Sequence, residues 1–229
     1  MDSIKLFAED FLALIYPKHC YGCEGSLSAG ENLLCTSCLL QIPESLRTED
    51  VQQMQLKFAG ISPIGESFSL MKFNKSGIAQ KMMHSIKYEG NQELAVMLGR
   101  LLGKKIIENI PEKPDALVPI PLHEKKQRRR GFNQSEQIAH GVSEILEVPV
   151  YSLLERHVDN PTQTRKSKLE RWRNTSDIFR MNEHLDELPR RIMLIDDTLT
   201  TGATISAASK VLLANSVDEI DLAVLALAQ

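Results

Sequence analysis

The sequence predicts an α/β protein built on a doubly wound, mostly parallel sheet, preceded by a small cysteine-rich module. Two observations predict the sheet. From Asp115 onward, short apolar segments alternate with amphipathic segments of helix length, which is the rhythm of strand–helix–strand crossovers. The strongest apolar segment, Arg191–Ile195, has no polar residue after its first position, as expected of a strand buried on both faces. A third observation predicts the module: all four cysteines lie within Cys20–Cys38.

Taken in order, residues 1–16 read as an amphipathic helix, because Ile4, Phe7, Phe11 and Leu14 recur at helical spacing. Residues 18–40 form the cysteine module, and 41–57 are polar and linker-like. Residues 58–73 read as strand-rich, punctuated by Pro63-Ile64-Gly65. Lys75–Lys87 and Asn91–Glu108 read as helices separated by Tyr88-Glu89-Gly90, and Pro111–Pro114 breaks the chain. Strands follow at Ala116–Ile120, Val148–Leu154, Asp177–Met181, Arg191–Ile195 and Glu219–Leu227. Helices are expected at Asn133–Leu146, where Ile138, Val142 and Ile145 share a face, and at Thr204–Ala214. The expected division is 1–45 for helix and module, then 46–229 for the main domain, with a helical hood at 58–110 and the core sheet at 115–229.

The 229 residues are 42% hydrophobic and 25% charged, with a formal net charge of −3. Such a composition suits a soluble globular protein and gives no global attraction to nucleic acid or membrane. No apolar run approaches the ~18–20 residues that span a bilayer. Glu9 and Asp10 interrupt the first apolar stretch and no small-residue cleavage site follows, so it does not read as a signal peptide. The expectation is a cytoplasmic protein without membrane insertion, in a compartment where disulfides are rare.

Cys20-x2-Cys23 and Cys35-x2-Cys38 stand eleven residues apart. Zinc takes four ligands in a tetrahedron, and each C-x2-C turn supplies two thiolates on one side of it. The expected metal set is Cys20, Cys23, Cys35 and Cys38, holding a structural zinc with no open position for chemistry; redox pairs or inert thiols are the alternative. Gly22 and Gly25 are expected to ease the first turn, and His19 to be a neighbour rather than a ligand.

After the strand ending at Ile195 come two carboxylates, Asp196 and Asp197, and then a Thr-rich turn opening a helix. Ligands of open α/β sheets bind at the carboxyl ends of strands. Backbone N–H groups at a helix start suit phosphate, while Gly202 permits close approach of the backbone. Carboxylates repel phosphate and suit ribose hydroxyls or a metal. A ribose 5-phosphate satisfies both halves, with Asp196 and Asp197 as catalytic and binding candidates and Thr198, Thr200, Thr201, Gly202, Ala203 and Thr204 as the phosphate turn. A capped strand–turn–helix is the plain alternative.

Two basic stretches remain. Lys125, Lys126, Arg128, Arg129 and Arg130 follow the Ala116–Ile120 strand as a loop, placed to grip pyrophosphate or to stand as a solvated charge run. Arg165, Lys166, Lys168, Arg171 and Arg173 interleave with the lone Trp172; a lid, core packing and single-stranded nucleic acid contact all fit. No general base stands out, and Glu170 is the weak candidate this stretch offers.

Ile192–Thr204 resembles the signature with which type I phosphoribosyltransferases bind phosphoribosyl diphosphate (PRPP). The whole chain resembles the ComF (ComFC) family of competence-associated phosphoribosyltransferase-like proteins, through YPKHCYGC…CTSC, HSIKYEGNQELA, VPIPLHEKKQRRRGFNQ, PTQTRKSKLERWRN and IDDTLTTGAT in that order. The resemblance implies a type I phosphoribosyltransferase fold behind a zinc module, and PRPP bound with Mg²⁺. In it, the paired acids hold ribose hydroxyls, the turn holds the 5-phosphate and the first basic loop holds pyrophosphate. It also implies a role in handling single-stranded DNA during natural transformation, alongside a helicase-like ATPase partner. Thr198 departs from the pattern, which more often has an apolar residue there. Salvage of a nucleobase is a more distant expectation.

Overall fold

The computed structural model describes residues 18–43, 48–73, 77–157, 178–182 and 188–228. The helix expected over 1–16 and the second basic stretch, with Arg165, Lys166, Lys168, Glu170, Arg171, Trp172 and Arg173, lie outside the described residues.

Four parallel strands form the central sheet: β1 (Ser67–Phe73), β2 (Ala116–Pro119), β5 (Arg191–Leu199) and β6 (Glu219–Ala228), in the order β1-β6-β5-β2. Two short strands, β3 (Leu154–Arg156) and β4 (Phe179–Met181), form a separate antiparallel pair. The helices are α1 (Thr36–Leu40), α2 (Thr48–Leu56), α3 (Ile78–Tyr88), α4 (Gln92–Asn109), α5 (Glu124–Arg130), α6 (Gln134–Leu146) and α7 (Ala203–Leu213). The mostly parallel, helix-flanked sheet is the one the sequence predicts.

Strand alternation divides the core. Met193 and Ile195 of β5 face a layer built from Met82 and Ile86 of α3, Leu98 and Leu102 of α4, and Ile138 and Val142 of α6. Ile192 and Leu194 face Ile205, Ala208 and Leu212 of α7, with Met54 and Phe58 beside them. A strand covered on both faces must be apolar at successive positions, which is why Ile192–Ile195 reads as an unbroken run. Helices α4 and α6 cross at Gly99 and Gly141, where a Cβ would collide with the backbone of the opposite helix.

Several expectations change. The stretch 41–57 contains α2, tied to β1 by the Asp50–Lys72 ion pair at 2.9 Å. In 58–73 only Ser67–Phe73 is strand, because residues 57–61 form a turn after α2. The strand expected at Val148–Leu154 shrinks to a single bridge from Val150 to Leu117 plus the start of β3. Pro149 interrupts it, having no N–H to extend a ladder. The first basic stretch is the helix α5 rather than a loop. Glu124 in its first turn and Arg128–Arg130 in its last both complement the helix dipole, and left-handed Gly131 closes it.

Candidate functional site

Strand β5 does not stop at Ile195. It continues through Asp196 and Asp197 to Leu199, paired on one side to β6, with Asp196 opposite Val224 and Thr198 opposite Ala226. On the other side β2 ends at Pro119, opposite Ile195. Beyond that point no strand pairs with this edge of β5 among the described residues, and the amino end of α6 lies against it. Asn133 sets this junction: its Nδ2 donates to the Ile120 carbonyl at 3.1 Å, and its Oδ1 accepts from Ser135 N at 3.2 Å as the helix cap.

The acids therefore meet residues far away in the chain. Ser135 Oγ donates to Asp196 Oδ1 at 3.0 Å, and Asp197 N donates to the same oxygen at 2.8 Å. Gln134 Nε2 donates to Asp197 Oδ2 at 2.6 Å. Lys87 Nζ, one residue before the end of α3, lies 3.1 Å from Asp197 Oδ1 and 3.1 Å from Thr198 Oγ1. Burial and the adjacent Asp197 charge push the Asp196 carboxyl up to about 7, against the opposing pull of Asp197 N, Ser135 and Lys87. The amino end of α6 favours the negative charge that remains.

The turn after β5 faces the end of α2. Lys57 Nζ donates to the Thr200 carbonyl at 2.6 Å. Gly202 caps α7 with φ +80°, and a Cβ there would come within 2.9 Å of Phe58 Cε1. The left-handed conformation and the ring together restrict this position to glycine. Thr200 and Thr201 are exposed, Ala203 and Thr204 half-buried, at the start of an eleven-residue helix whose first N–H groups have no intrahelical acceptor. A concavity of about 510 Å³ is lined by Gln55, Phe58 and residues 59–64, and shares with this turn only the Phe58 ring.

Of the basic residues on α5, Lys125, Arg128 and Arg129 are exposed, and Lys126 and Arg130 half-buried. Arg130 lies 5.8 Å from the ring centroid of Tyr88, itself 67% exposed. The Arg130 Nε and Nη1 atoms are buried without a partner among the described residues. Arg130 and Gln134 bracket the Gly131–Asn133 turn, so the basic end of α5 is joined by a few residues to the acid pair. Sequence reading named the acids, the turn and the basic residues but not Lys87, Gln134, Ser135, Lys57 or Phe58. One sequence signal for Lys87 exists. It stands one helical turn after Met83, on the apolar stripe of α3 with Ala79 and Ile86.

The four cysteine sulfurs all lie within 4.8 Å of one another, with Cys23 Sγ and Cys35 Sγ 3.9 Å apart. Sulfurs ~2.3 Å from one tetrahedral ion stand just under ~4 Å apart, so the set fits. Cys20 Sγ accepts from Gly22 N and Cys35 N, both at 3.3 Å, and Cys35 Sγ from Cys38 N at 3.4 Å. Burial raises the Cys20 thiol, yet N–H donors from Cys35, Cys23 and Gly22 together bring it down to about 6. Burial and the other cysteines push Cys38 up. Gly22 is needed for space rather than for a left-handed turn, since a Cβ would lie 2.8 Å from Cys38 Sγ; the left-handed residue is Glu24, at φ +65°. His19 points elsewhere, its Nδ1 3.1 Å from the Glu24 carbonyl. Cys20 and Cys38 also belong to the core cluster that contains Met82 and Leu94.

The chain is 34% identical over 111 residues to competence protein F of Haemophilus influenzae, a match covering 48% of each protein. It is 28% identical over 198 residues to competence protein ComFC of Bacillus subtilis, covering 86% of this chain and 78% of that one. The chain is thus similar to competence proteins of the ComF type over most of its length. It is also 32% identical over 142 residues to the DNA utilization protein YhgH of Escherichia coli, covering 58% of this chain and 60% of YhgH. The chain thus spans about half the length of the H. influenzae relative. No family model matches it. Among solved structures, it is similar to a glutamine PRPP amidotransferase from B. subtilis complexed with ADP and GMP. That likeness has a TM-score of 0.43 at 15% identity, covering 62% of this chain and 30% of that one. An allosteric regulatory enzyme of purine biosynthesis is similar with a TM-score of 0.40 at 17% identity, covering 57% and 26%. No helix among the described residues is long and apolar enough to cross a membrane.

Proposed function

We propose that this protein binds PRPP with Mg²⁺ and transfers the phosphoribosyl group, in the service of DNA uptake. One observation carries the reading: the acid pair lies on the carboxyl end of β5, directly before a glycine-turned helix start. Carboxylates for ribose hydroxyls and backbone donors for the 5-phosphate then stand in the order one ligand requires. The 5-phosphate rests on Thr200–Thr204 and the ribose on Asp196 and Asp197. The α5 cations stabilise pyrophosphate as it leaves, which is electrostatic stabilisation of leaving-group charge. Mg²⁺, held on the side of Asp196 and Asp197, would supply charge neutralisation for the diphosphate. The four cysteines hold a structural zinc, as four thiolates leave no open position.

Titration calorimetry with PRPP and Mg²⁺ tests the binding. Asp196→Asn together with Asp197→Asn is expected to weaken PRPP about 100-fold, the loss of charged hydrogen bonds to two hydroxyls. No binding by the intact protein overturns the reading. Pyrophosphate release with a panel of acceptors tests the transfer.

A second reading is a non-catalytic module that binds PRPP and grips single-stranded DNA. It is favoured by the Arg130 guanidinium beside the exposed Tyr88 ring, at the end of a cationic helix. It predicts DNA affinity that falls steeply with salt and drops when Arg128, Arg129 and Arg130 are changed together to Ala. PRPP binding without pyrophosphate release under any acceptor selects this reading.

A further inference from the structure

Both oxygens of Asp197 are taken by the protein itself: Oδ1 by the Lys87 ammonium and Oδ2 by the Gln134 amide. Asp196 differs. Its Oδ1 is occupied, but its Oδ2 has no partner among the described residues. Lys87 is held from two sides, by Asp197 and by the Thr198 hydroxyl, and only 23% of its side chain is exposed. It therefore occupies an Asp197 oxygen that a cation bound to the acid pair would otherwise take. Gln134 is 4% exposed, and its Oε1 is buried without a donor among the described residues, an acceptor left open beside the acids.

We propose that Lys87 is the built-in cation of this site, a positioning residue that occupies Asp197 in place of a divalent metal, so that metal enters only with an anionic ligand. The inference rests on the PRPP reading for the identity of that ligand, but not for the role of the lysine. With Lys87 in place, the two carboxylates carry one compensating positive charge, and a lone divalent ion gains little. A polyanionic ligand changes the balance: it brings charge that can share the ammonium, and the vacated Asp197 oxygen becomes available. Asp196 is then the acid that meets the first ligand hydroxyl, and Asp197 is released second.

The test titrates Mn²⁺ alone, followed by electron paramagnetic resonance, into the intact protein and into Lys87→Met and Lys87→Arg. Mn²⁺ prefers oxygen over thiolate ligands, so the cysteine cluster does not compete. Lys87→Met is expected to bind free Mn²⁺ about tenfold more tightly, as two close carboxylates lose their counter-charge. Lys87→Arg is expected to match the intact protein. PRPP affinity in the presence of Mn²⁺ is expected to move the other way in Lys87→Met, and a merely structural lysine would not produce opposite signs. Free Mn²⁺ affinity that is unchanged or lower in Lys87→Met overturns the proposal. Should that variant not fold, Thr198→Val loosens the same ammonium and is expected to raise free Mn²⁺ affinity by a smaller factor; no rise overturns the proposal equally. Failure of PRPP to bind the intact protein would overturn the proposed function and leave the Mn²⁺ comparison standing.

Discussion

The cysteine cluster and the acid site are built in opposite ways. All four sulfurs come from Cys20–Cys38, brought together by two short turns and backbone N–H groups that point at them. The acid site draws Asp196, Asp197 and Thr198 from β5, Gln134 and Ser135 from α6, Lys87 from α3 and Lys57 from the end of α2. A local site can be complete before the rest of the fold, because its contacts close short loops at little entropic cost. A composite site exists only once the sheet is assembled, and it inherits the precision of every element around it. Damage to the first should therefore register in folding, and damage to the second in affinity.

The largest expected effect breaks the local side of this comparison. Cys38 is buried in the main core cluster as well as in the sulfur set. Cys38→Ser is expected to abolish zinc retention and to lower stability by more than about 4 kcal/mol, since ligand loss and core damage coincide. Metal analysis and a denaturant titration check both parts.

The next effect concerns pH and the composite side. Asp196 titrates near 7 in the folded protein, far above a free carboxyl. Between about pH 4 and pH 7 the folded state then holds a proton that the unfolded state has lost. Stability should fall as pH rises through that window and level off above about 7. Binding of a cation-bridged ligand moves oppositely. It needs the ionised form and should weaken about 50-fold from pH 7 to pH 5, against a reference curve from Asp196→Asn that lacks this component. Calorimetry at several pH values separates the two signs.

Gly202→Ala sharpens the comparison at the turn. A left-handed alanine pressed on Phe58 is expected to cost about 1–2 kcal/mol of stability, and to weaken binding of inorganic phosphate in the same variant. A smaller effect is expected from Ser135→Ala, which removes one donor to Asp196. The carboxyl should shift further up, and PRPP affinity should fall about fivefold, near 1 kcal/mol, with the melting temperature almost unmoved. A large loss of stability in Ser135→Ala would show that the acid site is part of the folding core, not a site laid on it.

Legibility in the sequence followed the same divide. The cysteine set could be read from spacing because its geometry is local. The order Asp196, Asp197, Thr-rich turn, Gly202 could be read because one strand and one helix start carry it. The helix α5 was missed because a run of like charges masks the capping signals at Glu124 and Gly131. The continuation of β5 through the acids was missed for another reason. Two adjacent carboxylates look like the end of a strand until the edge beside them is seen to have no paired strand among the described residues.

What the sequence determined by itself was the alternation of strands and helices, the sulfur set, and which residues carry charge and hydroxyls at the end of β5. Hydrophobic periodicity, ligand spacing and turn chemistry are properties of neighbouring residues, so they are written locally. Only the tertiary structure decided that β2 stops opposite Ile195, leaving room for Gln134 and Ser135 against the acids. The tertiary structure also decided that Lys87, more than a hundred residues away in the chain, lies on Asp197. Those contacts depend on where strands end in the sheet and how helices pack across it, and no local pattern encodes either.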